Sequence, residues 1–359
     1  MSHTYAFAGG GTLGPVTPLL AVIEEIKKQD PESRFIWFGT PNGPERALVE
    51  DQGCTFYDLP VARLPRYLSL ELLLAPWRVG SGFWRAKEIL QREKVDLVGM
   101  AGGFTGVPVV VAATVLGIPT WVHQPDVLPL LSNRLVAKLA TWFTVSFEKT
   151  KSLFKVPSEC VGNPVRAGIT QGNKKRAEKR FELSGDKKTL LVFGGGGGAL
   201  WINERIKEAL SKLCPKYNVI HVTGLNQTAK MEKIEGYFVQ DLLNEEEMAD
   251  AWSISDVAVI RGGMGSLTEM SSTGTIGIIV PLPGSQTINA KIFAEAKEAL
   301  LFDQKKDSGE SFIALILSVL ENPAKYKSEQ QNKSHVLQTD SASKIAKKLK
   351  GLIKNTPTP

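Results

Sequence analysis

The most specific chemistry in this sequence lies in Arg261-Gly262-Gly263-Met264-Gly265-Ser266-Leu267-Thr268-Glu269, placed directly after an apolar run. A guanidinium at a glycine turn can meet a phosphate through its planar fork, and a carboxylate two helical turns further on can accept hydrogen bonds from the vicinal hydroxyls of a ribose. A structural ion pair with a nearby carboxylate is the alternative for Arg261. Three more glycine clusters follow apolar runs: Ala8-Gly9-Gly10-Gly11-Thr12-Leu13-Gly14, Ala101-Gly102-Gly103-Phe104-Thr105-Gly106 and Gly194–Gly198. Glycine lets the backbone approach a ligand, and the free N–H groups at a helix start favour an anion such as a diphosphate. A tight strand-to-helix turn in any α/β protein would use the same residues.

Such loops need strand ends to hold them. Short apolar runs alternate with helix-period stretches along the whole chain, which is the pattern of parallel βαβ units and an α/β fold. Strands are expected at Thr4–Ala8, Arg34–Phe38, Leu97–Met100, Thr120–His123 and Trp142–Ser146, then at Thr189–Phe193, Tyr217–Val222, Val257–Ile260 and Ile276–Val280. The apolar stretch from Val107 to Val122 is broken by Pro108, Gly117 and Pro119 and reads as a helix followed by a buried strand. Ligands in open α/β sheets bind beyond the carboxyl ends of the strands, so the loops predict one cleft between two domains. The turn-rich Val161-Gly162-Asn163-Pro164-Val165-Arg166 and the polar run Gln171–Lys188 mark the expected crossover. We place one domain at 1–162, joined by the terminal segment 341–359, and the other at 163–340. Ser341–Lys354 reads as an amphipathic helix, with Ile345, Leu349, Leu352 and Ile353 among lysines, and Asn355–Pro359 as a frayed end.

Composition narrows the function classes. A chain of 359 residues with 43% hydrophobic and 22% charged residues folds and has length for two domains. Its net charge of +6 suits anionic partners but is too mild for a dedicated nucleic-acid binder, so no nucleic acid is expected. Cys54, Cys160 and Cys214 are far apart, which disfavours a disulfide scaffold or zinc site and points to a reducing, cytoplasmic compartment. Neither a signal peptide nor a membrane-spanning run is read. No loop fits the P-loop pattern, and a dinucleotide-dependent oxidoreductase is disfavoured because the first loop lacks a clean G-x-G-x-x-G.

Taken in order, Gly10-Gly11-Thr12-x-Gly14, Gly102-Gly103-Phe104, His123-Gln124-Pro125-Asp126, Val161–Arg166, Gly194–Gly198, Arg261-Gly262-Gly263 with Glu269, and Gln286-Thr287-Ile288-Asn289-Ala290 resemble one family. It is the bacterial peptidoglycan N-acetylglucosaminyltransferases that form lipid II, of glycosyltransferase family 28. The likeness runs from about Thr4 to the terminal helix, and Val161–Arg166 is its most specific piece. The resemblance implies a GT-B fold of two Rossmann-like domains, with the last helix crossing back to the first. It implies an inverting transfer of N-acetylglucosamine from UDP-N-acetylglucosamine to the muramic acid 4-hydroxyl of undecaprenyl-diphospho-muramoyl-pentapeptide (lipid I), with neither cofactor nor metal.

Carried over by position, Glu269 would hold the ribose, and Arg261 with Gly262, Gly263, Met264, Gly265 and Ser266 would face the diphosphate. The backbone near Leu242 and Leu243 would pair with uracil, Gln286 and Asn289 would contact the donor sugar, and Gly195 and Gly196 would line the donor turn. Ser285 stands where the family has a glutamine. Gly11, Thr12, Gly14, Gly102, Gly103, Phe104, Thr105, Asn163 and Arg166 would form the acceptor side. The family's first loop ends in histidine, whereas this chain has Pro15, with Leu13 replacing a glycine. Proline cannot take a proton. Asp126, which stands where the family has asparagine, or His123 oriented by Asp126, is therefore the expected base, against a purely structural role for both.

The resemblance also implies work at the cytoplasmic face of the inner membrane without spanning it, with other cell-wall synthesis proteins as further partners. Large apolar residues mix with arginines from Arg63 to Arg85, which suits a patch attracted to anionic lipid; burial is expected for most of the leucines and tryptophans, and only the loop near Arg63–Leu70 is expected to touch lipid. A related transferase with another donor or acceptor, and a catalytically silent sugar-nucleotide-binding scaffold, are the two other readings.

Overall fold

Strand and helix alternate through both halves, and each half closes its own parallel sheet. The computed structural model describes residues 3–59, 70–195, 197–228, 234–330, 336–338 and 340–354, with only the helical backbone described at 70–79 and 327–330. The first sheet contains β1 (Thr4–Ala8), β2 (Arg34–Gly39), β3 (Thr55–Asp58), β4 (Leu97–Met100), β5 (Thr120–Gln124), β6 (Trp142–Val145) and β7 (Glu159–Cys160), in the order β3-β2-β1-β4-β5-β6-β7. The second contains β8 (Thr189–Phe193), β9 (Asn218–Val222), β10 (Tyr237–Gln240), β11 (Val257–Ile260), β12 (Ile276–Ile279) and β13 (Ala299–Leu301), in the order β10-β9-β8-β11-β12-β13. The strand pairings are parallel in both.

A parallel sheet covered by helices on both faces needs strands apolar on both, and β1, β5, β8 and β9 are buried along their whole length. Alternate residues serve opposite faces. Tyr5 and Phe7 of β1 join Leu19, Leu20 and Ile23 of helix Thr17–Gln29, while Ala6 and Ala8 join Leu90 of helix Leu70–Arg92 and Val109 of helix Gly106–Val115. In the second unit, Leu190 and Val192 of β8 join Ile206 of helix Leu200–Leu213 and Ile316 of helix Gly309–Glu321.

One unit runs from the N-terminus to Arg166 and takes in the chain from Gln338 onward; the other is Ala167–Leu337. The returning helix, Ser341–Lys354, puts Ile345, Ala346 and Leu349 into the cluster that holds Tyr5 and Phe7. Burying Ile345 and Leu349 completely stabilises this return by about 2 kcal/mol each. Gly162, at φ +76°, lies against the same helix start: a Cβ there would press on Ser341 Oγ and Gln338 N. The polar run Gln171–Lys188, expected at the crossover, belongs to the second unit. Its helix Lys174–Arg180 is pinned where Arg176 donates to the fully buried Asp250, Nε to Oδ2 at 2.7 Å and Nη2 to Oδ1 at 2.7 Å.

Each sheet also buries one histidine. His123 on β5 is fully buried, and so is His221 on β9, whose Nδ1 lies 2.9 Å from Tyr237 Oη and Nε2 3.0 Å from Asn203 Oδ1. Burial lowers both from the ordinary 6.5 to about 4, so both are neutral at pH 7. Below pH 6.5 the unfolded chain takes up protons that the folded chain refuses until about pH 4. Stability from this source is complete above pH 6.5 and falls between 6.5 and 4, by about 3 kcal/mol per histidine at the lower end. The urea midpoint should therefore decline across that window, and less steeply in His221→Gln; a midpoint independent of pH would contradict the assignment.

Candidate active site

In the second unit, Arg261 leaves the end of β11 and the chain turns through Gly262 and Gly263 into helix Met264–Thr273. A Cβ on Gly262 would strike the carbonyl of Gln286, whereas Gly263 faces open space. Glycine at 262 thus serves backbone packing, and at 263 leaves room in front of the helix start. That start has no side-chain cap, so the amides of Met264, Gly265 and Ser266 point outward with no helical acceptor. The Met264 side chain itself is buried in the core.

Arg261 is only 7% exposed, and burial lowers its pKa. Its Nη1 donates to Val280 O and to Gln304 Oε1, both at 2.8 Å. Among the described residues no carboxylate pairs with it, which removes the structural ion pair as its explanation. Glu269, 8% exposed, accepts a hydrogen bond from the buried Trp252 Nε1 at 3.1 Å. Trp252 rides on helix Glu245–Ile254, whose capping box between Asn244 and Glu247 sets its start. The segment before it is held as well, since Gln240 Nε2 donates to Leu242 O at 2.7 Å; Leu243 beside it is half-buried. Trp252 and Gln304 were not legible as site residues, because one looks like core and the other like a polar turn.

The donor-side expectations at the sugar end divide. Gln286 is half-buried and its Oε1 accepts from Leu282 N at 3.0 Å, while Asn289 is completely buried inside helix Ser285–Glu295. Gly195, at φ +86°, faces open space, and Gly196 lies outside the described residues. Gly198 has a different duty: its backbone packs directly on Gly224, leaving no space for a Cβ on either.

The first unit gathers Gly11, Thr12 and Gly14 after β1, Gly102–Thr105 after β4, and Asp126 after β5, three strands adjacent in the sheet. The fully buried Glu45 takes part of this loop for itself: its Oε2 accepts from Gly11 N at 3.2 Å and its Oε1 from Thr40 N at 2.7 Å. Gly11 N–H, expected to face a phosphate, therefore faces a protein carboxylate, whereas Thr12 and Gly14 are exposed. Pro15 packs against Gly103. Phe104 is half-buried against the core and Thr105 is buried.

His123 is not placed to take a proton from a substrate. Trp121 Nε1 donates to Thr144 Oγ1 at 2.9 Å, and that hydroxyl sits 2.9 Å from His123 Nδ1. Nε2 lies 3.3 Å from Asn163 Oδ1 and 3.2 Å from Ser146 Oγ. A hydroxyl that accepts from the indole has its hydrogen left for Nδ1, so the network assigns the Nε2–H tautomer, donating toward Asn163. The partners of the ring are these hydroxyl and amide groups rather than Asp126, which corrects the expected pairing. Asn163, expected on the acceptor side, is likewise buried; Arg166, closing the same element, is half-buried.

Asp126 is half-buried on a loop built by Gln124. The Gln124 amide nitrogen donates to Asp126 O at 2.8 Å and Leu128 O at 2.9 Å, while its oxygen accepts from Leu130 N at 3.1 Å and Asn133 Nδ2 at 2.9 Å. A glutamate could not make the first two bonds.

Two Rossmann-like parallel units, with the final helix returned to the first, make this an enzyme architecture of the GT-B class. The glycosyltransferase family 28 N-terminal domain matches residues 5–144 and the family 28 C-terminal domain residues 189–349, and the chain belongs to that family. It is similar to the UDP-N-acetylglucosamine--N-acetylmuramyl-(pentapeptide) pyrophosphoryl-undecaprenol N-acetylglucosamine transferase of Clostridium botulinum, 32% identical over 321 residues, 88% of this chain and 90% of that one. The Clostridium perfringens protein of the same name is 30% identical over 325 residues, 89% and 90% of the two chains. The fold is shared with Acinetobacter baumannii MurG, TM-score 0.71 at 24% identity over 98% of this chain and 100% of that one. It is shared also with the UDP-GlcNAc 2-epimerase of Neisseria meningitidis, TM-score 0.71 at 18% identity over 99% and 100%.

Gln124→Glu should place a buried carboxylate oxygen against two carbonyls and lower stability at pH 7 by about 3 kcal/mol. Chemical denaturation would read this, and an unchanged midpoint would show that the loop does not depend on the amide.

Proposed function

We propose that this chain transfers N-acetylglucosamine from UDP-N-acetylglucosamine to the muramic acid 4-hydroxyl of an undecaprenyl-diphospho-muramoyl-pentapeptide, with inversion, in peptidoglycan synthesis. The relatives named above support the substrates, and one observation carries the site: Arg261, buried with neutral partners only, stands at an uncapped helix start. As the acceptor oxygen bonds to the sugar C1, the bond from C1 to the phosphate oxygen breaks and its electron pair leaves with UDP. Negative charge thus grows on the diphosphate, where Arg261 and the amides of Met264–Ser266 are best suited to stabilise it. Glu269, fixed by Trp252, holds the ribose hydroxyls.

The hydroxyl proton goes to Asp126. His123 holds the Val161–Arg166 element to the sheet through Asn163 and stays neutral. In Asp126→Asn, kcat should fall about 10²–10⁴-fold with UDP affinity unchanged, whereas Arg261→Gln should lose UDP affinity. Turnover of Asp126→Asn within a few-fold of the parent would remove Asp126 from the mechanism.

The lipid acceptor calls for a membrane-facing surface on the cytoplasmic side. No described helix is long and apolar enough to cross a membrane. The expected contact at Arg63–Ser69 lies outside the described residues, as do the side chains of Leu70–Val79. A surface that suits the role is the segment Leu131–Leu139, where Leu131, Leu135 and Leu139 are 56%, 56% and 36% exposed beside the exposed Arg134 and Lys138. Leu131→Glu with Leu135→Glu should reduce co-sedimentation with anionic phospholipid vesicles, and binding equal to the parent would place the contact elsewhere.

A further inference from the structure

Arg261 is held in an unusual way for a buried cation. Nη1 uses one hydrogen on Val280 O and the other on Gln304 Oε1, both at 2.8 Å. Fixing one terminal nitrogen with two acceptors sets the plane of the guanidinium and leaves Nη2 and Nε as the fork for an incoming group. Both acceptors are neutral, and among the described residues no carboxylate pairs with Arg261. Gln304 is half-buried on the turn after β13 and lines a cavity of about 430 Å³ with Pro281, Thr287, Lys291 and Phe302. Thr287 follows Gln286, whose carbonyl lies against Gly262 in the turn that Arg261 opens.

We propose that Gln304 is the positioning residue for Arg261: its amide oxygen orients the guanidinium while keeping the charge available to the donor diphosphate. This rests on the reading of Arg261 given above. The chemistry at position 304 has to be an acceptor without charge. A carboxylate there would close an ion pair with Nη1, neutralise the cation inside the protein and compete with the diphosphate for it. An alanine would leave the charge but release the fork from one of its two anchors.

The test compares UDP, by calorimetry, with uridine, by ligand-observed NMR, on the full chain and on Gln304→Glu, Gln304→Ala, Arg261→Gln and the double variant Arg261→Gln with Gln304→Glu. Gln304→Glu and Arg261→Gln should each weaken UDP by about ten-fold or more, Gln304→Ala by less, and none should shift uridine beyond about two-fold. The double variant should bind UDP more weakly than Arg261→Gln alone, because the carboxylate introduced at position 304 is then left without its cation and the site is one charge more negative. Normal UDP affinity in Gln304→Glu alongside a loss in Arg261→Gln would overturn the role of Gln304 while sparing that of Arg261. Equal loss of uridine and UDP in Gln304→Glu would overturn it too, as a disturbance of the fold. Normal UDP affinity in Arg261→Gln would overturn the reading of Arg261 and the proposal with it.

Discussion

A guanidinium removed from water and given only neutral oxygens is an electrostatic demand that the second unit leaves open. Withdrawing a charge into a protein costs several kcal/mol even after relaxation. Two hydrogen bonds from Arg261 Nη1 offset part of that cost, and burial still lowers its pKa. The surrounding structure is arranged to keep this state: β11 ends at Ile260, glycine at 262 lets the next helix approach closely, and that helix starts without a cap. In the proposed reaction a diphosphate completes the arrangement, and its leaving-group charge is where such a cation would act most strongly.

The first unit answers the opposite requirement. Several of its buried polar groups are paired with one another, and the pairing shapes the loops. Trp121, Thr144, His123 and Asn163 form one chain of hydrogen bonds from β5 and β6 to the segment that ends the unit. Gln124 meets four backbone or side-chain groups and so defines the loop bearing Asp126. Glu45 ties the first glycine loop to the turn after β2. Low dielectric makes each unpaired member of such a network expensive, so these side chains specify conformation more than they supply chemistry. Pro15 fills space beside Gly103.

Nine of the strands were legible as apolar runs, because a central parallel strand is covered on both faces. The four that were not, β3, β7, β10 and β13, are the four sheet edges. Their side chains are partly exposed, so no continuous apolar run marks them. The polar run Gln171–Lys188 misled for a related reason: few apolar residues suggested a connector, yet Arg176 pairs with the buried Asp250 and holds the run to the second unit. Periodicity cannot register a contact between residues 74 apart.

What the sequence by itself determined is the alternation of strand and helix, the glycine turns at strand ends, the amphipathic last helix, and the presence of Arg261 and Glu269 at the right separation on one turn and helix. Those are local properties, carried by spacing within a few residues. Tertiary structure decided which glycines face open space and which pack on backbone, that His123 and Asn289 are sealed inside, that Trp252 fixes Glu269, and that Arg261 meets an amide rather than a carboxylate. Each of those depends on chain segments brought together from far apart, and on how much water burial leaves around a charged or polar group.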